Sequence, residues 1–185
     1  MNRLWLEPIP LNLRGRAADA LKKEADVLAF LGFASNDFSL DLVYWNMEDL
    51  KALSLYEPAL LQAFTATRTN NHRWPLPEIR SLFDQCDRTR LKQAGDPLPG
   101  PGPFRIYRGV GGRGPARRVC GFSWTGSLER ARWFADRAVG WGLHDPGVYQ
   151  ITVDESYVFA YVGSHRNEAE FIVMPSPAMK PKRIG

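Results

Sequence analysis

The sequence predicts an α+β protein with its helices first and its strands after. Up to residue 95, apolar residues recur three and four apart, the spacing of one helix face. From residue 104 onward they gather in short runs rich in β-branched and aromatic residues, separated by glycine turns. Between the two lies Gly95-Asp96-Pro97-Leu98-Pro99-Gly100-Pro101-Gly102-Pro103, the densest punctuation in the chain. The expected organisation is a helical segment over 1–95, a Pro/Gly linker over 96–103 and a second domain over 104–185.

Taken in order, residues 1–15 read as extended and turn-rich around Pro8 and Pro10. Ala17, Leu21, Ala25 and Leu28 lie at helical spacing, so a single helix is expected from Arg16 to about Leu31, stopped by Gly32. Ser39 to Asn46 is ambiguous. Glu48–Leu55 and Pro58–Ala66 read as short helices, the second with Pro58 in its first turn and Leu60, Leu61 and Phe64 on one side. Thr67–Trp74 reads as a loop. Pro77 to about Gln93 reads as one helix with Ile79, Leu82, Phe83 and Cys86 inward. In the second half, Phe104–Tyr107 reads as a strand, Gly109–Pro115 as a turn, and Arg118–Trp124 as a second strand. Ser127–Val139 reads as a helix capped by Ser127. Gly147–Val153, Tyr157–Val162 and Asn167–Val173 read as strands, and the tail from Pro175 as frayed.

With 44% hydrophobic and 24% charged residues, the composition is that of an ordinary globular protein. No secretory signal and no membrane span is expected, so the chain reads as cytoplasmic or as delivered into a target cell, with no membrane partner. Cys86 and Cys120 are far apart and fit a reducing compartment. Neither cysteine, nor His72, His144 or His165, stands at ligand spacing, so no metal is expected. Residues 1–95 carry 12 Lys/Arg against 12 Asp/Glu, whereas residues 96–185 carry 12 against 8. The whole excess of positive charge lies in the second half, which suits an anionic small molecule, a nucleic acid or nothing in particular.

Gly109-Val110-Gly111-Gly112-Arg113-Gly114 matches a dinucleotide fingerprint after a strand. That motif must open a helix, and Pro115 followed by Arg117-Arg118-Val119-Cys120 has no helical period, so a Rossmann reading fails. Three other pieces carry chemistry. Arg108 stands at a strand end beside Gly109. Ser123-Trp124-Thr125 places two hydroxyls two apart on one strand face. Glu168-Ala169-Glu170 would place two carboxylates side by side on another strand. Alone, each is unspecific: a surface arginine, a common S-x-T, a solvated polar edge.

In this order and these strand contexts, the three pieces resemble the mono-ADP-ribosyltransferases of the arginine–serine–glutamate class, among them bacterial toxins, vertebrate ecto-transferases and phage and toxin-system enzymes. The resemblance covers residues 104–174. It implies a split pair of small mixed sheets around an NAD cleft, with NAD as substrate and no metal. It further implies that Arg108 binds an NAD phosphate, that Gly109 offers backbone to the nicotinamide amide, and that Tyr107 and Thr125 line the cofactor site. By the same resemblance Ser123 positions the catalytic Glu170, and Glu168 serves an arginine acceptor. The turn Gly163-Ser164-His165-Arg166 corresponds to the family's substrate-recognition loop and is short here. Trp124 departs from the threonine common in the vertebrate enzymes.

The chemistry needs these residue types. Releasing nicotinamide passes through an oxocarbenium-like state, as in glycoside hydrolysis. An ionised carboxylate stabilises that charge, a hydroxyl can lock its rotamer, and a guanidinium suits a pyrophosphate. An attacking guanidine must shed a proton, which suits a second carboxylate. Flat nicotinamide can stack on Phe134 or Trp133, although apolar helix positions commonly serve a core. The expected activity is transfer of ADP-ribose to a macromolecular acceptor, a protein arginine first. Transfer to RNA or DNA, NAD hydrolysis and a non-catalytic binding module are the alternatives. The segment 1–95 reads as a docking unit, a lid or a surface for a neutralising partner protein.

Overall fold

The computed structural model describes residues 4–66, 73–114, 117–163, 168–174, 176 and 179–185. The protein is α+β and divides into two compact units, Met1–Ala94 and Gly95–Gly185.

The first unit holds seven α-helices among its described residues: α1 (Arg14–Lys22), α2 (Val27–Gly32), α3 (Ser39–Trp45), α4 (Met47–Ala52), α5 (Tyr56–Ala66), α6 (Leu76–Asp84) and α7 (Arg88–Ala94). Two expected long helices are each broken by an acidic cap. Ala25 turns left-handed at φ 52°, and the Asp26 carboxylate accepts from the Ala29 amide to start α2. Leu28 therefore points outward and is exposed. In the same way Asp87 Oδ1 accepts from the Thr89 and Arg90 amides and starts α7. The ambiguous segment 39–46 is α3. α5 is the hub, packing against α2, α3, α4 and α7. Its Tyr56, Ala59, Leu60 and Ala63 are fully buried, and the Tyr56 hydroxyl donates to the Leu82 carbonyl at 2.9 Å. No helix among the described residues is long and apolar enough to cross a membrane.

Among its described residues the second unit holds a six-stranded sheet and one α-helix. Its strands are β1 (Phe104–Val110), β2 (Ser123–Thr125), β3 (Gly147–Val153), β4 (Val158–Val162), β5 (Glu170–Val173) and β6 (Lys182–Arg183), in the order β4-β5-β2-β1-β3-β6. Every pairing is antiparallel. The sheet is therefore one antiparallel layer and not the split pair of mixed sheets that the resemblance implies. β1 pairs on both sides and β2 continues the ladder to β5, which joins what would otherwise be two halves. The tail is not frayed at its end. Ile184 donates to the Val148 carbonyl at 2.8 Å and Val148 to the Gly185 carbonyl at 2.7 Å, adding β6 to the edge.

The 96–103 segment is built into this unit instead of hanging between domains. Asp96 donates its amide to the Tyr161 carbonyl at 2.7 Å, and its carboxylate accepts from the Gly163 amide at 2.7 Å. Leu98 packs on the larger apolar cluster, formed by Phe104, Ile106, Trp124, Ile151, Val153, Val158, Phe171 and Val173. On the opposite face lies α8 (Leu128–Gly140), where Ala131 and Ala135 pack with Val148, Tyr107 and Leu128. The helix comes very close to β1. A Cβ on Gly109 would collide with the Ala131 carbonyl oxygen and lie 2.6 Å from the Ala135 nitrogen.

Two outcomes follow from this packing. Gly109→Ala should lower stability by about 3 kcal/mol, since the added methyl meets backbone atoms that cannot swing away; urea unfolding of the variant measures it. The Cys86 thiol, pushed up to about 12 by burial, should react slowly with a thiol reagent at pH 8, and the exposed Cys120 promptly. Mass spectrometry of the labelled peptides distinguishes the two.

Candidate active site

β1, β2 and β5 are neighbours, and their register brings together residues from three distant parts of the chain. Thr125 lies opposite Tyr107 on one side and opposite Glu170 on the other. Alternation along the strands then puts Tyr107, Gly109, Ser123, Thr125 and Glu170 on one sheet face, the face on which α8 packs. Ser123 faces Ile172, so Glu170 is its diagonal neighbour, about 7–8 Å away between backbones and within reach of a long side chain. Both are half-buried. The hydroxyl of Thr125 is committed locally: it donates to the Glu168 carbonyl at 2.5 Å and accepts from the Ser127 amide at 3.1 Å. Gly126 adds a bond to the Ala169 carbonyl at 2.9 Å. Together these contacts tie the start of α8 to the start of β5. The Ser127 side chain then caps α8 by accepting from Arg130 at 3.2 Å.

Glu168 is where the sequence reading and the structure differ. An unbroken strand over 167–173 would carry Glu168 and Glu170 on one face. Instead β5 begins at Glu170, and Ala169 is left-handed at φ 45°. That kink ends the two-residue alternation, so Glu168 precedes the strand and is not paired with Glu170 by the pleat. The β2 expectation also shortens, from 118–124 to 123–125, because residues 117–122 fold around Arg108. His165 and Arg166 lie outside the described residues.

Arg108 alternates onto the other face, in the row of Trp124 and Phe171, and is 7% exposed. Its Nε donates to the Arg118 carbonyl at 3.0 Å and its Nη1 to the Ser123 carbonyl. Desolvation pulls the guanidinium down to about 10, while the Glu170 carboxylate works in the opposite direction. Arg108 is thus still a cation at neutral pH, and Glu170 is the carboxylate whose charge it feels most. Two of its five donors serve the backbone, and any phosphate contact falls to the others.

Gly121 is a site residue that pattern reading passed over. A Cβ there would stand 2.5 Å from Arg108 Nη2 and 2.6 Å from its Cζ, so only glycine lets the loop lie on the guanidinium. An isolated glycine inside an apparent strand was the signal available for it. On α8, Phe134 is half-buried and meets Trp133 edge-on at 5.1 Å, while Trp133 is 44% exposed.

No protein-family model matches the chain, nor does any curated protein or solved structure. The site has to be read from its own residues. They supply a half-buried carboxylate and a half-buried hydroxyl on one sheet face, with a desolvated cation beneath them.

Arg108→Lys keeps the charge but cannot bridge the two carbonyls. It should cost about 1.5–3 kcal/mol of stability, the range for hydrogen bonds from a charged donor. Guanidinium chloride unfolding that matches the parent protein would rule out the bridging role.

Proposed function

We propose that this protein is an NAD-dependent mono-ADP-ribosyltransferase, moving ADP-ribose from NAD to a macromolecular acceptor, a protein arginine in the first reading. The observation that carries the proposal is the meeting of Arg108, Ser123-Trp124-Thr125 and Glu170 on three adjacent strands, with Thr125 opposite Glu170. These are the three pieces whose order in the sequence resembles that class. Glu170 supplies a carboxylate for the ribose, and Arg108, buried on the opposite sheet face, is the cation that would serve the pyrophosphate through donors not taken by the backbone. The finer fold assignment, an ADP-ribosyltransferase core, belongs to the same proposal.

NAD supplies the chemistry of a good leaving group on an anomeric carbon. The Glu170 carboxylate would stand beside the ribose as positive charge grows there and stabilise it. Ser123, its diagonal neighbour, supplies a hydroxyl to fix the carboxylate rotamer. Gly109 can do little for a nicotinamide amide on its Cα side, which α8 covers. Phe134 remains the ring of α8 for stacking. Glu168 would take the proton from an arginine acceptor, and its place before β5 puts it on a different backbone path from Glu170.

A second acceptor reading, single-stranded nucleic acid, is favoured by the exposed indoles of Trp133 and Trp141 and the half-buried Arg137 guanidinium that lies over both. Incubating the protein with labelled NAD, with and without cell protein or RNA, separates the two acceptors from plain NAD hydrolysis and from a non-catalytic module.

The two glutamates should part in kinetics. Glu170→Gln should abolish both transfer and NAD hydrolysis, because both pass through the same cation. Glu168→Gln should cut transfer to arginine by about 10²–10⁴-fold and leave hydrolysis to water. Retained transfer in Glu168→Gln would exclude the arginine acceptor, and full activity in Glu170→Gln would exclude the transferase altogether. Nicotinamide release, followed by chromatography, reads both.

A further inference from the structure

We infer that α8 carries a binding surface for single-stranded nucleic acid, made by Arg130, Trp133, Arg137 and the C-cap Trp141. The inference stands on this helix alone and does not depend on the transferase reading.

At 3.6 residues per turn these four positions fall on one flank of the helix, over about 16 Å of its axis. Trp133 is 44% and Trp141 53% exposed, so both indoles are open to solvent on this flank. The Arg137 guanidinium lies over both rings, 5.0 Å from Trp133 and 4.6 Å from Trp141, and Arg130 lies 5.8 Å from Trp133. Cation and ring therefore alternate along the flank. The acidic Glu129 and Asp136 sit about a quarter of a turn from Arg137 around the helix and border the surface beside Trp133. The surrounding unit adds to the positive potential, since the chain's net charge of +4 arises in residues 96–185.

Charge complementarity and shape select the occupant. Guanidinium groups take phosphates, and flat rings take unstacked bases. A duplex hides its base faces and would leave the indoles unused. A membrane-surface helix separates its apolar face from its basic one. Here the apolar face, Ala131, Ala135 and Leu128, is already packed on the sheet, and what remains exposed mixes indole and guanidinium. An acidic protein segment would satisfy the charges but make no use of the indoles.

The test uses the full chain and a fluorescein-labelled oligouridylate of about a dozen nucleotides, the upper part of the usual site size. Anisotropy should show binding that weakens steeply with salt, with quenching of tryptophan fluorescence. Trp133→Ala/Trp141→Ala should weaken binding about tenfold or more, and Arg137→Gln should weaken it and flatten the salt slope. Trp133 and Trp141 are exposed and Arg137 is half-buried, so the fold should survive, and thermal unfolding of each variant checks it. The same measurement is made with a duplex, with phosphatidylserine vesicles and with polyglutamate. Equal affinity for any of these, no binding of the single strand, or variants that bind it as the parent does would each overturn the inference.

Discussion

The close approach of α8 to β1 is the constraint on which the second unit depends. At Gly109 the helix backbone lies where a side chain would be, so strand and helix are in backbone contact and not merely packed through side chains. Such contact needs small residues on both sides, and α8 meets it with Ala131 and Ala135. It also fixes where α8 begins. With its middle held against β1, the N-terminus of the helix must come directly off β2, and Thr125 and Gly126 bind it there to residues 168–169. The candidate carboxylate is in this way referenced to a helix and two strands, and not to a loop.

Beneath that face, the Arg108 side chain performs a task that a charged group seldom performs when buried. Desolvating a guanidinium is costly, and carbonyl oxygens offset the cost only partly. The cation nevertheless sits there, holding the 117–122 loop through the Arg118 carbonyl and β2 through the Ser123 carbonyl. A packed hydrophobe would stabilise the fold more cheaply. Retaining a buried cation whose field reaches Glu170 is the kind of local conflict that accompanies function.

Much of the second unit was legible in its strands because they are short, apolar and bounded by glycine or polar turns; β3 has the expected limits of Gly147–Val153. α8 starts within one residue of expectation because Ser127 is a good cap. The helices of the first unit were over-joined. Apolar spacing carries across Ala25 and across Gln85–Asp87, and only the acidic caps Asp26 and Asp87, which periodicity does not weigh, mark the breaks. The candidate site was legible as a set of residue types in order. Its geometry was not, since a left-handed Ala169 has no sequence signature as strong as a glycine would give, and Arg108's burial depends on a loop drawn in by Gly121.

The bonds of Asp96 bear on how the second unit could be cut free. A chain shortened to begin at Phe104 matches the first strand but discards Asp96 and Leu98. It would leave the Gly163 amide and the Tyr161 carbonyl without their partners at the end of β4, and would uncover part of the apolar cluster. A defect in such a fragment would then report a damaged strand end and not a missing helical unit. The natural place to begin a fragment is ahead of Gly95, whose Cα lies so close to Tyr161 that a Cβ would stand 2.5 Å from its carbonyl oxygen.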